Sequence, residues 1–410
     1  MFGSRASIIL PALSLLALIA GGIFVSTQWR TAVYYPEEPE TESSIETENP
    51  ETNSFQEIIY SSPREQSENV KGVYLNEFVA NSSHSQAVAV REEINSLLEE
   101  TELNAVVIDI KEHDGPYMPS SLKEYIKELH EKNVWVIARI CVFRDSSLED
   151  AYPDWYLKIE REDGSLEIWE DSGGGLWLDP KGTGVQNYII NFSKKAIDFG
   201  FDELQFDYIR FPSDGDVKSA IYPFYDNNSE EKYQVIGDFF SRLSNSLKNY
   251  DRDIILSVDL FGYVAAHRNS TEIGQRTYDA AQHFDYISYM LYPSHFYGGL
   301  QVGRDEKRGL PGIYIPYDSE DLSETVSGNP YPVIARSIFI AKDYIESIGA
   351  AAKIRPWLQD FDIYKDTNRG IYYDAQKVRE QILAAEESGA AGWLLWGPSG
   401  EYTREALLAR

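Results

Sequence analysis

Between Lys71 and Pro398, eight short apolar runs ending in polar or aromatic residues alternate with stretches whose apolar residues recur at three and four. The runs are KGVYLNE (71–77), NAVVIDIK (104–111), VWVIARICVF (134–143), ELQFDYIRF (203–211), IILSVDLFG (254–262), DYISYMLYP (285–293), IRPWLQDF (354–361) and AGWLLWGP (391–398). Between them lie amphipathic segments such as SSLKEYIKELHEK and YQVIGDFFSRLSNSLKN. Strands that are apolar on both faces and separated by helices call for a parallel sheet covered on both sides. Eight such units close most economically as a TIM (β/α)8 barrel. A doubly wound open sheet would carry a GxGxxG turn after its first strand, and none follows KGVYLNE.

The two longest insertions, about 144–186 after the third run and 294–340 after the sixth, are rich in Trp, Tyr, Gly and Pro. In such a barrel they fall on the face that carries the carboxyl ends of the strands, where barrel sites are built. Trp155, Trp169, Trp177, Tyr292, Tyr297 and Trp396 are candidates to stack on sugar rings, or else to form a small core of the loops themselves.

Residues 1–30 form a separate unit, since Ala6 to Val25 is a charge-free and mostly apolar run long enough to span a bilayer. It is expected to be an uncleaved membrane anchor holding the rest of the chain on the extracytoplasmic side, with secretion after signal cleavage as the alternative. Residues 31–69 are expected to be an unstructured acidic linker, because the stretch from Pro36 to Val70 holds ten Glu against one Arg. The barrel is expected over 70–410. Of the formal net charge of -29, residues 71–410 keep -22 once the -9 of Pro36 to Val70 and the +2 before it are removed. That balance opposes nucleic acid, whose binding depends on Lys and Arg meeting phosphates, and favours a neutral or cationic ligand. The single Cys141 excludes an internal disulfide framework, and no Cys/His spacing suggests a zinc site. No cofactor and no metal are expected.

Carboxylates near the carboxyl ends of the runs are the chemical candidates: Asp109, Asp207, Asp259 and Asp360. Asp207 interrupts the apolar run FDELQFDYIRFP and shares strand parity with Gln205, which points it into the barrel mouth. A buried carboxylate needs donors or a function, and Arg139, Arg210 and Arg355 are the possible partners. Asp259, in SVDLFG on the next run, would face it. Glycoside hydrolysis uses two carboxyl groups, about 5–5.5 Å apart for retention and about 6.5–9.5 Å for inversion. In this arrangement Asp207 is the nucleophile or general base and Asp259 the acid. Asp109, Arg139, Arg210, Tyr289, Tyr292, Trp357, Gln359, Asp360 and Trp396 are candidates for binding and orienting the substrate.

GVYLNEF, VVIDIKEHDG, VIARICVFRD, WLDP, GFDELQFDYIRFPSDG, SVDLFGY, DYISYMLYPSHF, RPWLQDF and GWLLWG, taken in order, resemble the putative glycosyl hydrolase domain family over roughly residues 70–400. FDYIRFP is the most specific of these motifs. The resemblance implies a glycosidase-like barrel acting on carbohydrate, with a main catalytic acid residue at the end of strand four that maps onto Asp207; it leaves the second group open. Together with the topology, it leads to the expectation of a hydrolase acting on a cell-envelope or extracellular polysaccharide. One alternative is a barrel that binds glycans without turnover. The other is a polysaccharide deacetylase, which would need His and Asp metal ligands; only six histidines are present and none form an H-x-x-x-H pair.

Overall fold

The computed structural model describes residues 62–410. The expected anchor at Ala6 to Val25 and nearly all of the expected linker lie outside the described residues. Among the described residues, no helix is long and apolar enough to cross a membrane.

Eight parallel strands form the sheet: β1 Val70–Leu75, β2 Ala105–Glu112, β3 Trp135–Cys141, β4 Glu203–Asp207, β5 Ile255–Phe261, β6 Tyr286–Met290, β7 Trp357–Gln359 and β8 Gly392–Trp396. Each pairs with the next, and β1 pairs with both β2 and β8, so the sheet closes into a barrel. The principal helices between strands are α1 Ser85–Glu100, α2 Ser120–Glu131, α3 Thr183–Phe199, α4 Lys232–Tyr250, α5 Thr277–His283, α6 Pro330–Ser347 and α7 Ala375–Glu387. The expected TIM-type architecture is present, with its long connections after β3 and β6.

Strand alternation divides the core in two. Val73, Val106, Ile108, Val136, Leu204, Phe206, Leu256 and Val258 point outward and pack under the helices. Tyr74, Ala105, Val107, Trp135, Ile137, Ile255, Tyr286, Trp357 and Leu394 fill the lumen. Gly392 opens β8 at φ +94, where a Cβ would stand 2.0 Å from the Val70 carbonyl oxygen, so only glycine lets β8 lie this close to β1.

The amino-terminal end of the lumen is sealed by a buried ion pair. Arg355 donates to both carboxylate oxygens of Glu203 at 2.9 and 2.8 Å, and Trp135 donates to Glu203 at 3.0 Å. Arg355 also donates to the Ser67 carbonyl at 2.8 Å, and the Tyr286 ring centroid lies 3.8 Å from its guanidinium. Arg355, one of the three arginines considered for Asp207, is therefore committed to the floor of the barrel. The seventh run is not one continuous strand: Lys353–Ile354 pairs with β6, the chain breaks at Arg355 and Pro356, and β7 resumes at Trp357. Proline has no N–H for a ladder, which explains the interruption.

Candidate active site at the carboxyl end of the barrel

On β4, Glu203, Gln205 and Asp207 share parity and stand at the floor, middle and mouth of the lumen, all buried. The strand stops at Asp207 because Tyr208 takes φ +50, a left-handed conformation rare for a residue with a Cβ. In that turn the Tyr208 amide donates to Asp207 Oδ1 at 2.6 Å.

Arg139 on β3 is the centre of the mouth. Its Nη1 donates to Asp109 Oδ1 at 2.5 Å and to Glu112 Oε1 at 2.6 Å, and its Nη2 donates to Asp207 Oδ2 at 2.6 Å. Its Nε lies 3.9 Å from Asp259 Oδ2, and both of these buried atoms lack a hydrogen-bond partner among the described residues. Asp259 Oδ1 accepts from the Trp357 indole at 3.0 Å, and the second oxygen of Asp109 accepts from the Tyr74 hydroxyl. Tyr74 and Trp396 stack at 4.0 Å, and the Trp396 ring centroid lies 5.0 Å from the Arg139 guanidinium.

Four carboxyl groups thus converge on one positive charge, and their environments separate them. Burial pushes Asp259 well above the usual carboxylate range, and the charge of Asp207 adds to the effect. Burial likewise raises Asp109. Burial also opposes the charge on Glu112, but the Arg139 guanidinium outweighs it and holds that carboxyl at about 2. Asp207 and Asp259 both lie within 4 Å of the same guanidinium, so they fall inside the roughly 10 Å that hydrolytic carboxyl pairs span. The arrangement sets a carboxyl that burial pushes towards its protonated form beside one that is ion-paired, and such a pair can divide acid from base or nucleophile.

The remaining sequence candidates separate by position. Trp357, Trp396 and Asp109 join the group around Arg139. Tyr292 is buried in the same lumen cluster as Trp357. Arg210 donates to the Phe211 carbonyl at 2.9 Å and packs among the rings of Phe261, Trp177 and Tyr208, 4.6, 5.0 and 5.3 Å from their centroids. Three candidates are placed as framework. Tyr289 points outward into the helix-facing core, its hydroxyl 2.9 Å from Thr277 Oγ1. Gln359 binds the Ser294 amide at 3.2 Å and the Phe361 carbonyl at 2.9 Å. Asp360 accepts from the Thr403 amide and hydroxyl at 2.9 and 2.7 Å and so ties down the segment after β8. Trp169 and Trp177, on the loop after β3, are buried and join the helix-facing core of the barrel.

Glu112 is the site residue that sequence parity missed. A register shift on β2 between Asp109 and Lys111 breaks the alternation there. Lys111 instead forms a fully buried pair with Asp145 at 2.8 Å, and Glu112 reaches Arg139. A cavity of about 510 Å³ lined by Arg268, Arg276, Tyr278 and Tyr344 involves none of these carboxylates. Among the described residues, no group of three or more His, Cys, Asp or Glu side chains is placed to hold a metal ion.

No curated protein matches the chain. Among solved structures, a hypothetical protein from Ruminiclostridium thermocellum ATCC 27405 is 28% identical over 46% of this chain and 96% of its own, with a TM-score of 0.36. The glycoside hydrolase domain of PelA from Pseudomonas aeruginosa is 11% identical over 82% of this chain and 96% of its own, with a TM-score of 0.40. An alpha-galactosidase from Thermus thermophilus is 13% identical over 81% of this chain and 60% of its own, with a TM-score of 0.45. The family model described as "Putative glycosyl hydrolase domain" matches residues 72–402, a span that begins in β1 and ends beyond β8, and the chain belongs to that family.

Proposed function

We propose that the chain is a glycoside hydrolase acting on a cell-envelope or extracellular polysaccharide, with Asp207 as nucleophile or general base and Asp259 as general acid. One observation carries this reading: two carboxyl groups on adjacent strands meet at one guanidinium, Asp207 ion-paired to it at 2.6 Å and Asp259 3.9 Å from it with burial pushing its carboxyl up. In the proposed mechanism Asp259 gives its proton to the glycosidic oxygen. Asp207 then captures the oxocarbenium-like centre or activates a water against it. Arg139 fixes the Asp207 carboxylate through Nη2 at 2.6 Å, and Trp357 orients Asp259 through its indole N–H at 3.0 Å. The apolar run Ala6 to Val25 supports a membrane anchor with the barrel on the extracytoplasmic side, which would bring the mouth to such polymers.

The test is reducing-end release by the full chain on a panel of envelope and extracellular glycans, with Asp207→Asn alongside. Release should fall about a thousandfold in the variant. Equal release by the two proteins would remove Asp207 from the chemistry. The Arg139 clamp also favours a second reading, a glycan-binding barrel without turnover, because an ion-paired and mostly buried Asp207 has less freedom to react. That reading gains if both proteins bind a glycan and neither cleaves it.

A further inference from the structure

An unbroken series of aromatic rings leads from the carboxylates to the outer rim between the loops after β6 and β7. Tyr292 packs in the lumen cluster with Trp357, the residue that holds Asp259. Its ring meets Phe361 at 5.4 Å and His295 at 5.6 Å, and those two meet each other at 5.8 Å. His295 meets Tyr297 at 5.7 Å, and Tyr297 meets Tyr317 at 5.4 Å. Exposure rises along the series: Tyr292 is buried, Phe361 half-buried and Tyr297 57% exposed. Tyr297 is also held in place, since Tyr317 beneath it is buried and Lys365 lies 5.7 Å from one ring centroid and 4.2 Å from the other.

We infer that this series is a track for a glycan chain, with Tyr297 as an outer sugar subsite that makes the protein select polymers over short saccharides. The inference rests on the carbohydrate reading above. The C–H face of a pyranose is the apolar surface that a fixed, half-exposed phenol ring such as Tyr297 accepts. The track begins where the carboxylates stand, so a chain lying on it places a glycosidic bond within their reach. A ring already pinned by Tyr317 and Lys365 pays little ordering entropy on binding, unlike a free surface tyrosine.

The experiment measures binding by calorimetry for the full chain carrying Asp207→Asn, so that turnover plays no part. The probes are cello-, chito-, malto- and xylo-oligosaccharides of two to six units. In the series that binds, affinity should rise with length, and adding Tyr297→Ala should remove that rise, about tenfold for the longest member, while leaving the disaccharide unchanged. Tyr297→Trp should restore the length dependence. Equal loss at every length, no loss at any length, or no length-dependent binding in any of the four series overturns the inference. The hydrolase reading is judged separately by product release from the parent: length-dependent binding without release leaves the track standing and removes the hydrolase, and release without length dependence does the reverse.

Discussion

Arg139 can organise the mouth because a guanidinium is rigid and offers donors in several fixed directions at once, which a lysine cannot do. Its two terminal nitrogens serve Asp109, Glu112 and Asp207. Arg139→Met would leave Asp109 and Asp207 buried, and Glu112 partly buried, without this counter-charge, and a loss of about 3–5 kcal/mol at pH 7 is expected in urea unfolding. The pH dependence follows from Glu112. Its folded value of about 2 lies below its unfolded value, so the stability it brings is present above about pH 4.3 and is lost as pH falls towards 2. In the variant the unpaired acids regain protons more readily, so the two stability curves should converge between pH 7 and about pH 4; a constant gap would contradict the clamp. Trp357 has a different effect. Its indole N–H favours the ionised form of Asp259, so Trp357→Phe should move the basic limb of the pH–rate profile to higher pH. A limb that stays in place would remove Asp259 as the acid. Strand parity made Asp207 and Asp259 legible in the sequence, since each breaks an apolar run at an inward position. It left Tyr289 misplaced because DYISYMLYP carries aromatic residues on both faces, and only the small Ser288, which accepts from Gln205 in the lumen, marks the inward one.

Eight apolar runs were legible as elements because each strand is buried on both faces and each helix on one. Their ends were less so. The fourth run was expected to continue to Phe211 but stops at Asp207, where only the backbone angle of Tyr208 shows the turn. The loop after β3 contains a small antiparallel hairpin, Lys158–Glu160 with Leu166–Ile168, too short to register in a periodicity pattern. Asp171 holds this loop together: its carboxylate accepts from Arg144 Nε at 2.7 Å, the Trp177 indole at 2.9 Å, and the Gly173 and Gly175 amides at 2.9 and 2.7 Å. Burial works against its charge, yet these donors hold it at about 2. Asp171→Ala leaves several donors unmet and should cost about 2–4 kcal/mol. Because the contacts are confined to one loop, hydrogen exchange should quicken across residues 144–177 while β2 and β4 keep their protection. Exchange that quickens equally in the strands would mean that the loop and the barrel unfold as one unit.

At the scale of the molecule, charge is the property that bears on what reaches the mouth. Residues 71–410 carry a formal charge of -22. A field of one sign gathers oppositely charged ligands and repels like ones, over a distance that shrinks from about 30 Å in 0.01 M salt to about 3 Å in 1 M. Chitooligosaccharides allow the comparison at fixed backbone, since removing the acetyl groups turns a neutral chain into a cationic one, and oligogalacturonate supplies the acidic counterpart. At low salt the order of affinity should be cationic, then neutral, then acidic, with the cationic chain losing most as salt rises and the neutral one changing little. Tightest binding of the acidic chain at low salt would contradict this. It would point to Arg210, whose buried guanidinium has, among the described residues, a single hydrogen bond, to a backbone carbonyl, and otherwise packs on aromatic rings, as the group that receives the ligand's charge.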